Sequence, residues 1–277
     1  MAIDDDWVGS PYEKGCGLVS HRSGLADAAA NGHPQPYHVK LWGIGNEPWG
    51  DYQMGAMSIE QYELKHDIFP KAMRKVDPSI TLIAGGAMPD VMTGANQSKR
   101  IGGKFVADYL STADWSGHML AHCLDNIDML SEHYYSSSDM HTDLRLEKKV
   151  NIGPQPLIEW ERAPATQVRV KYEHYQEYLK RIPERRARPV PIAIDEWAYM
   201  GGGRAAYKVV PAYAWAFHEM FRHTDLFQLG AFTFATAMMS ETRTEAVLNP
   251  TGLLFKMYRD HFTNQRSILA ATRIRWM

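Results

Sequence analysis

The chain is predicted to be an α/β protein forming an incomplete (β/α)8 barrel, on three observations. Apolar runs of strand length alternate with amphipathic stretches of helical period, the signature of a parallel sheet with helical crossovers. Two of the runs, Leu41-Trp42-Gly43-Ile44 and Ile192-Ala193-Ile194, lead into Asn46-Glu47-Pro48-Trp49 and Asp195-Glu196-Trp197, so each ends on a glutamate with a tryptophan close behind. Only five strands can be found, where a closed barrel has eight.

The strands are expected at 39–44, 80–84, 127–133, 191–195 and 229–236. Ser58-Ile59-Glu60-Gln61 is a capping box, opening a helix to about Val76 that Asp77-Pro78-Ser79 stops. Pro70 inside it should kink or split it. Further helices are read at 103–112, 167–182, 210–221 and 251–262, the second with Glu177 and Arg181 four apart on one face. Residues 136–164, polar and carrying Pro154, Pro156 and Pro164, read as one long loop bordering the site. Residues 1–37 offer a Gly-Ser-Pro turn after Trp7 and Val8 and a short helix around Ala26–Ala30, but no strand. They cannot hold three βα units of about 30 residues each. The domain plan is therefore an irregular segment 1–37, a partial barrel 38–263 and a basic tail 264–277 without periodicity.

At 277 residues, 45% of them hydrophobic, the chain can bury a large core. Its 30 basic and 32 acidic side chains nearly cancel to a net charge of −2, which gives no electrostatic case for a nucleic-acid or membrane partner. No apolar run approaches the roughly 18 residues of a membrane helix. Met1-Ala2-Ile3-Asp4-Asp5-Asp6 is acidic where a secretory signal is basic, so a cytoplasmic location is expected. Cys16 and Cys123 read as two reduced thiols.

A carboxylate at the C-terminal tip of a barrel strand points into the mouth where such folds do chemistry. Two of them suit glycoside hydrolysis, one protonating the leaving oxygen and the other attacking the anomeric carbon; retention requires the carboxyls about 5–5.5 Å apart. Burial against Trp42 or Trp49, with the charge of Glu196, is expected to raise the Glu47 pKa. Asp195 is expected on the opposite strand face from Glu196. His133 and Tyr135, two apart, share a face. His118 and His122 have the spacing of metal ligands on a helix, but no acid completes a His-Glu-x-x-His, and they read as a surface pair. Gly201-Gly202-Gly203 reads as a flexible rim, and Asn96-Gln97-Ser98 is a formal glycosylation sequon.

The stretch Ala28–Phe262 resembles the family 51 glycoside hydrolases, the α-L-arabinofuranosidases of the large retaining clan built on (β/α)8 barrels. The resembling residues are Asn31-Gly32-His33-Pro34, Val39-Lys40-Leu41-Trp42, Gly45-Asn46-Glu47-Pro48-Trp49-Gly50, Val76-Asp77-Pro78-Ser79-Ile80, His133-Tyr134-Tyr135, Asp195-Glu196-Trp197 and Asn249-Pro250-Thr251-Gly252-Leu253-Leu254-Phe255. The resemblance implies that the five strands are strands four to eight, with Glu47 the acid/base and Glu196 the nucleophile. It implies that Asn46 contacts the sugar 2-hydroxyl and that His133, Tyr135, Trp49 and Trp197 line the sugar site. It also implies release of α-L-arabinofuranosyl residues from arabinose-containing saccharides, with no metal or organic cofactor. Two departures stand out: the glutamate and asparagine of the family's first two strands have no counterpart, and Ala198 occupies a position usually held by Asn. Two alternatives stay open, another retaining glycosidase of the clan (a xylanase or endoglucanase) and a non-catalytic carbohydrate-binding module. Five strands leave two open edges and an uncovered apolar face, lined by 41–44, 80–84 and 229–236, so a homo-oligomer is expected.

Overall fold

The structure is a computed structural model that describes residues 30–32, 39–89, 99–101, 104–106, 108–112, 114–123, 125–137, 140–143, 148–151, 156–200, 207–233 and 238–262. Its centre is a five-stranded, wholly parallel sheet of β1 (Leu41–Ile44), β2 (Thr81–Ala84), β5 (Met129–Ser137), β8 (Ile192–Met200) and β9 (Phe227–Phe232), which lie side by side in chain order. Helices fill every crossover: α1 (Ile59–Val76), α2 (Trp115–His122), α3 (Leu157–Arg181) with the short α4 (Pro183–Ala187), and α5 (Val209–Arg222). A last helix, α6 (Pro250–Phe262), follows β9. Three hairpins complete the set: β3 (Lys99–Ile101) with β4 (Lys104–Val106), β6 (Met140–Asp143) with β7 (Lys148–Asn151), and β10 (Met239–Glu241) with β11 (Ala246–Leu248). All five expected strands of the sheet are present, and parallel pairing in chain order puts their C-terminal ends on one rim.

The helices are where expectation and structure part. α1 keeps its Ser58 cap, whose hydroxyl accepts from the Gln61 amide, but Pro70 does not split it; the ring is buried within one continuous helix. α3 begins ten residues before the expected start and runs through Pro164, because Trp160, Pro164, Ala165 and Val168 are buried on one side and their packing outweighs proline's cost. The expected long loop 136–164 thus contributes residues to β5, a hairpin and a helix. The helix expected at 103–112 is absent among the described residues: Lys104–Val106 is a strand, and the helix starts at Trp115, capped by Asp114. Buried Asp114 accepts from the Gly117 and Leu110 amides and the Tyr178 hydroxyl, and burial pushes its carboxyl up to about 6. The tail 264–277, the glycine run, the sequon and nearly all of 1–37 lie outside the described residues.

The main core lies between the sheet and its helices, with Leu130, Ile192, Ile194 and Trp197 meeting Val168, Tyr178, Ala212, Tyr213 and Phe217. An ion pair is set inside it. Glu132 of β5 and Lys171 of α3 are both fully buried, 2.8 Å apart, and Glu132 also accepts from the Ser116 hydroxyl of α2. Two helices are thereby fastened to the central strand. On the other face of the sheet, Ile83, Met129 and Ala193 form a thin apolar band with Leu229 against it. Of the face expected to lie open, Ile44, Leu82 and Ile83 are buried, whereas Leu41 and Trp42 of β1 and Gly230 and Ala231 of β9 are exposed.

Candidate active site

The loop after β1 is shaped by local backbone. Gly45 (φ +84°) and Glu47 (φ +43°) are both in the left-handed region, which a glycine adopts freely and a glutamate only under constraint from its surroundings. The constraint is visible. The Tyr62 hydroxyl of α1 donates to the Ile44 carbonyl (2.5 Å) and accepts from the Gly85 amide (2.7 Å), pinning the ends of β1 and β2 together. The Trp49 indole donates to the Gly86 carbonyl (3.1 Å) and holds the Tyr52 ring edge-on.

Glu47 is aimed by three donors. Oε1 lies 2.8 Å from His133 Nδ1, and Oε2 accepts from the Tyr52 hydroxyl (2.8 Å) and the Gln53 amide (3.0 Å). Across the sheet, His133 pairs in register with Glu196, whose Oε2 lies 3.4 Å from the same Nδ1. The Tyr135 hydroxyl donates to Glu196 Oε1. One carboxylate oxygen from each glutamate and the imidazole nitrogen lie within 4.8 Å of one another.

Asp195 is a correction. It does not face away from Glu196: its Oδ1 accepts from Ser131 Oγ (2.7 Å) and lies 3.3 Å from His133 Nε2. A bulge is the cause. Ser131 pairs with Ala193 but His133 with Glu196, so β8 carries one residue more than β5 over that interval, and the extra residue lets two successive carboxylates face the same side.

The electrostatics also differ from expectation. The Glu47 carboxyl is lowered, not raised: the His133 hydrogen bond outweighs burial, and Tyr52 and Gln53 add to it. Burial alone would lower His133, but its hydrogen bonds to Asp195 and Glu47, with the charges of Asp195 and Glu196, carry it up to about 9. At neutral pH the imidazole is protonated and sits among three carboxylates. Burial, then the bond to Glu196, raises the Tyr135 phenol, which stays a hydrogen-bond donor at any working pH.

Of the residues expected at the site, Glu47, Glu196, His133 and Tyr135 are brought together. Asn46 is exposed beside Glu47, and Trp49 buttresses the Glu47 loop from a partly buried position. Trp197 goes elsewhere: it is 1% exposed, packed on the helical side of the sheet against Tyr134, Tyr213 and Phe232. Its register partner is Tyr134, the residue whose side chain leaves β5 opposite His133. Tyr52, Gln53, Ser131 and Asp195 were not anticipated. Ser131 was within reach of the period-two rule that links His133 to Tyr135; Asp195 was not, since no local signal announces the bulge.

The fold defines a class, a parallel (β/α) barrel represented by five consecutive strands with their crossover helices. Residues 20–147 match the family model described as the α-L-arabinofuranosidase 1 domain. The probable α-L-arabinofuranosidase C of Aspergillus flavus is 30% identical over 184 residues, covering 60% of this chain and 29% of that protein. The intracellular exo-α-(1→5)-L-arabinofuranosidase of Halalkalibacterium halodurans is 32% identical over 111 residues, 40% of this chain and 19% of that one. Among solved structures, the thermostable family 51 α-L-arabinofuranosidase of Thermotoga petrophila superposes with a TM-score of 0.61 at 21% identity, covering 88% of this chain and 44% of that one. The Thermotoga maritima α-L-arabinofuranosidase in its arabinose complex gives a TM-score of 0.59 at 21% identity, covering 89% and 44%. The matched stretch resembles part of the α-L-arabinofuranosidase domain, the fold is that of part of the family 51 barrels, and the chain spans less than a third of the length of the curated relatives it matches.

Proposed function

We propose that the chain is a retaining glycoside hydrolase that releases α-L-arabinofuranosyl groups from arabinose-containing saccharides, with a catalytic unit at 38–263. The observation that carries this reading is the approach of a Glu47 oxygen and a Glu196 oxygen to within 4.8 Å on the C-terminal rim, the spacing for direct attack rather than for an intervening water. Glu196 is the nucleophile. Tyr135 engages its Oε1, which leaves Oε2 to bond to the anomeric carbon as the bond to the leaving oxygen breaks. Glu47 supplies the proton to that oxygen and later takes one from the incoming water, whose oxygen displaces Glu196.

The unliganded site stores that proton on His133, 2.8 Å from Glu47 Oε1. A sugar that displaces water from the rim weakens the ion pair relative to its neutral form, and the shift of one proton from Nδ1 to Oε1 arms the acid. Asp195 and Ser131 keep the ring turned for that transfer, while Asn46 is placed to meet the 2-hydroxyl and Trp49 holds the loop that carries both. The test is turnover of an aryl α-L-arabinofuranoside with the product anomer followed by proton NMR. Retention with loss of turnover in Glu196→Gln supports the reading; an inverted product overturns it.

The chain is further proposed to associate with copies of itself through β1, the edge strand of the sheet among the described residues, which carries exposed Leu41 and Trp42. Sedimentation of dilute protein as a stable monomer would contradict this. No helix among the described residues is long and apolar enough to cross a membrane. A cytoplasmic site of action is proposed by analogy with the Halalkalibacterium relative, which is named as intracellular.

A further inference from the structure

The pair His118 and His122 lacks an acidic neighbour in its own helix, but the fold supplies one from another. Glu63 of α1 faces α2 and brings Oε1 to 2.6 Å from His118 Nδ1 and 3.1 Å from His122 Nδ1. The two Nδ1 atoms are themselves 2.9 Å apart. Three atoms of ligating type thus point at one common space, outside the catalytic rim and on the helical layer. Atoms turned on one another at these distances share either a hydrogen carried on one ring nitrogen or a metal ion.

We propose that Glu63, His118 and His122 form a binding site for a borderline divalent transition metal such as Zn2+. The donor set decides the class. Two imidazole nitrogens and one carboxylate oxygen suit Zn2+ and its neighbours, whereas Ca2+ and Mg2+ demand six or more oxygens or a retained water shell. The geometry needs a modest opening: ligands about 2.0–2.1 Å from a tetrahedral zinc lie roughly 3.3 Å from one another, about 0.2 to 0.7 Å wider than the 3.1, 2.9 and 2.6 Å found here. Side-chain exposure of 12% at His118 and 19% at Glu63 gives a sheltered floor, and 53% at His122 leaves an entrance and a fourth position for water. The ligands come from two helices, so an ion here clamps α1 to α2. Glu63 is also the neighbour of Tyr62, which pins the β1 and β2 ends beside the Glu47 loop.

The test is calorimetric titration of Zn2+ into tag-free, metal-stripped full-length protein, with thermal unfolding followed at each metal level. One Zn2+ per chain and a Zn2+-dependent rise in Tm that Mg2+ does not reproduce are expected. His122→Gln and Glu63→Gln should each weaken that binding by roughly tenfold or more, no less than losing a supporting hydrogen bond costs a metal site, while Glu47→Gln leaves it unchanged. His122 is half exposed at a helix end, so its variant retains the fold; unchanged Tm of the metal-free variants verifies this. Failure of the wild-type chain to bind Zn2+, or binding that survives both substitutions, would overturn the proposal, as would binding lost only in Glu47→Gln. None of these results depends on glycosidase activity, so the site and the proposed reaction stand or fall separately.

Discussion

His133 Nδ1 lies 2.8 Å from Glu47 Oε1, and that contact makes the two residues one titrating unit: the carboxyl is lowered and the imidazole raised by the same shared proton. Two segments separated by most of a hundred residues are joined there. The acid of the proposed reaction is therefore the pair, with the proton resting on His133 until the site is dry.

The stability of the fold should carry this signature. His133 is raised from its ordinary 6.5 to about 9, so its contribution is complete below about pH 6.5 and is lost as pH rises through about 9. A rise of that size corresponds to on the order of 3 kcal/mol. Glu47 is lowered, so its share is present above its ordinary 4.5 and is lost as pH falls through the lowered value. Thermal melts of wild type and His133→Gln across pH 6 to 10 should converge toward the alkaline end. Curves that stay parallel would show that the imidazole is not held charged.

Glu196→Gln is expected to abolish turnover while leaving the melting curve nearly intact, because the side chain is partly exposed and the amide keeps its volume. Trapping with an activated 2-fluoro arabinoside should label the wild-type chain at Glu196. A label found by peptide mapping on Asp195, which the bulge turns to the same side, would reassign the nucleophile.

Glu47→Gln should slow substrates with poor leaving groups by about 10²–10⁴-fold and nitrophenyl glycosides far less in the glycosylation step, since a good leaving group scarcely needs the proton. Equal losses on both would assign Glu47 another role. Tyr52→Phe removes only one of its three donors and should cost much less.

Lys171→Met should destabilise the fold by about 3–5 kcal/mol, because it leaves the Glu132 carboxylate fully buried and without its cation. Denaturant unfolding measures this. The double variant with Glu132→Gln should recover part of the loss, and no recovery would mean that Lys171 acts through packing alone.

Gly86→Ala is expected to cost about 1–3 kcal/mol and to disturb the Glu47 loop. A Cβ there would sit 2.3 Å from the Ser131 carbonyl and 2.7 Å from Ser116 Oγ, and a strand carbonyl cannot yield. The Trp49 indole donates its hydrogen bond to the carbonyl of the same residue, so activity should fall together with Tm.

The sequence by itself determined the parallel sheet and four of the site residues. Their signals are local: apolar runs of strand length, Ser58 at a helix start, and a two-residue period that puts His133 and Tyr135 on one face. The tertiary structure decided what depends on partners distant in the chain. Pro164 is helical because α3 buries that face, and Trp197 is core because its register partner is Tyr134. Asp195 joins the site because one extra residue in β8 breaks the alternation, and the direction of the Glu47 shift follows from donors on β5 and its own loop. Glu63 meets His118 and His122 for the same reason: α1 packs on α2, and no pattern within either helix specifies which side chains face each other across that contact. Local sequence sets backbone propensity and side-chain period; register and packing against remote segments set which polar atoms come within hydrogen-bonding reach, and the chemistry of this site depends on those distances.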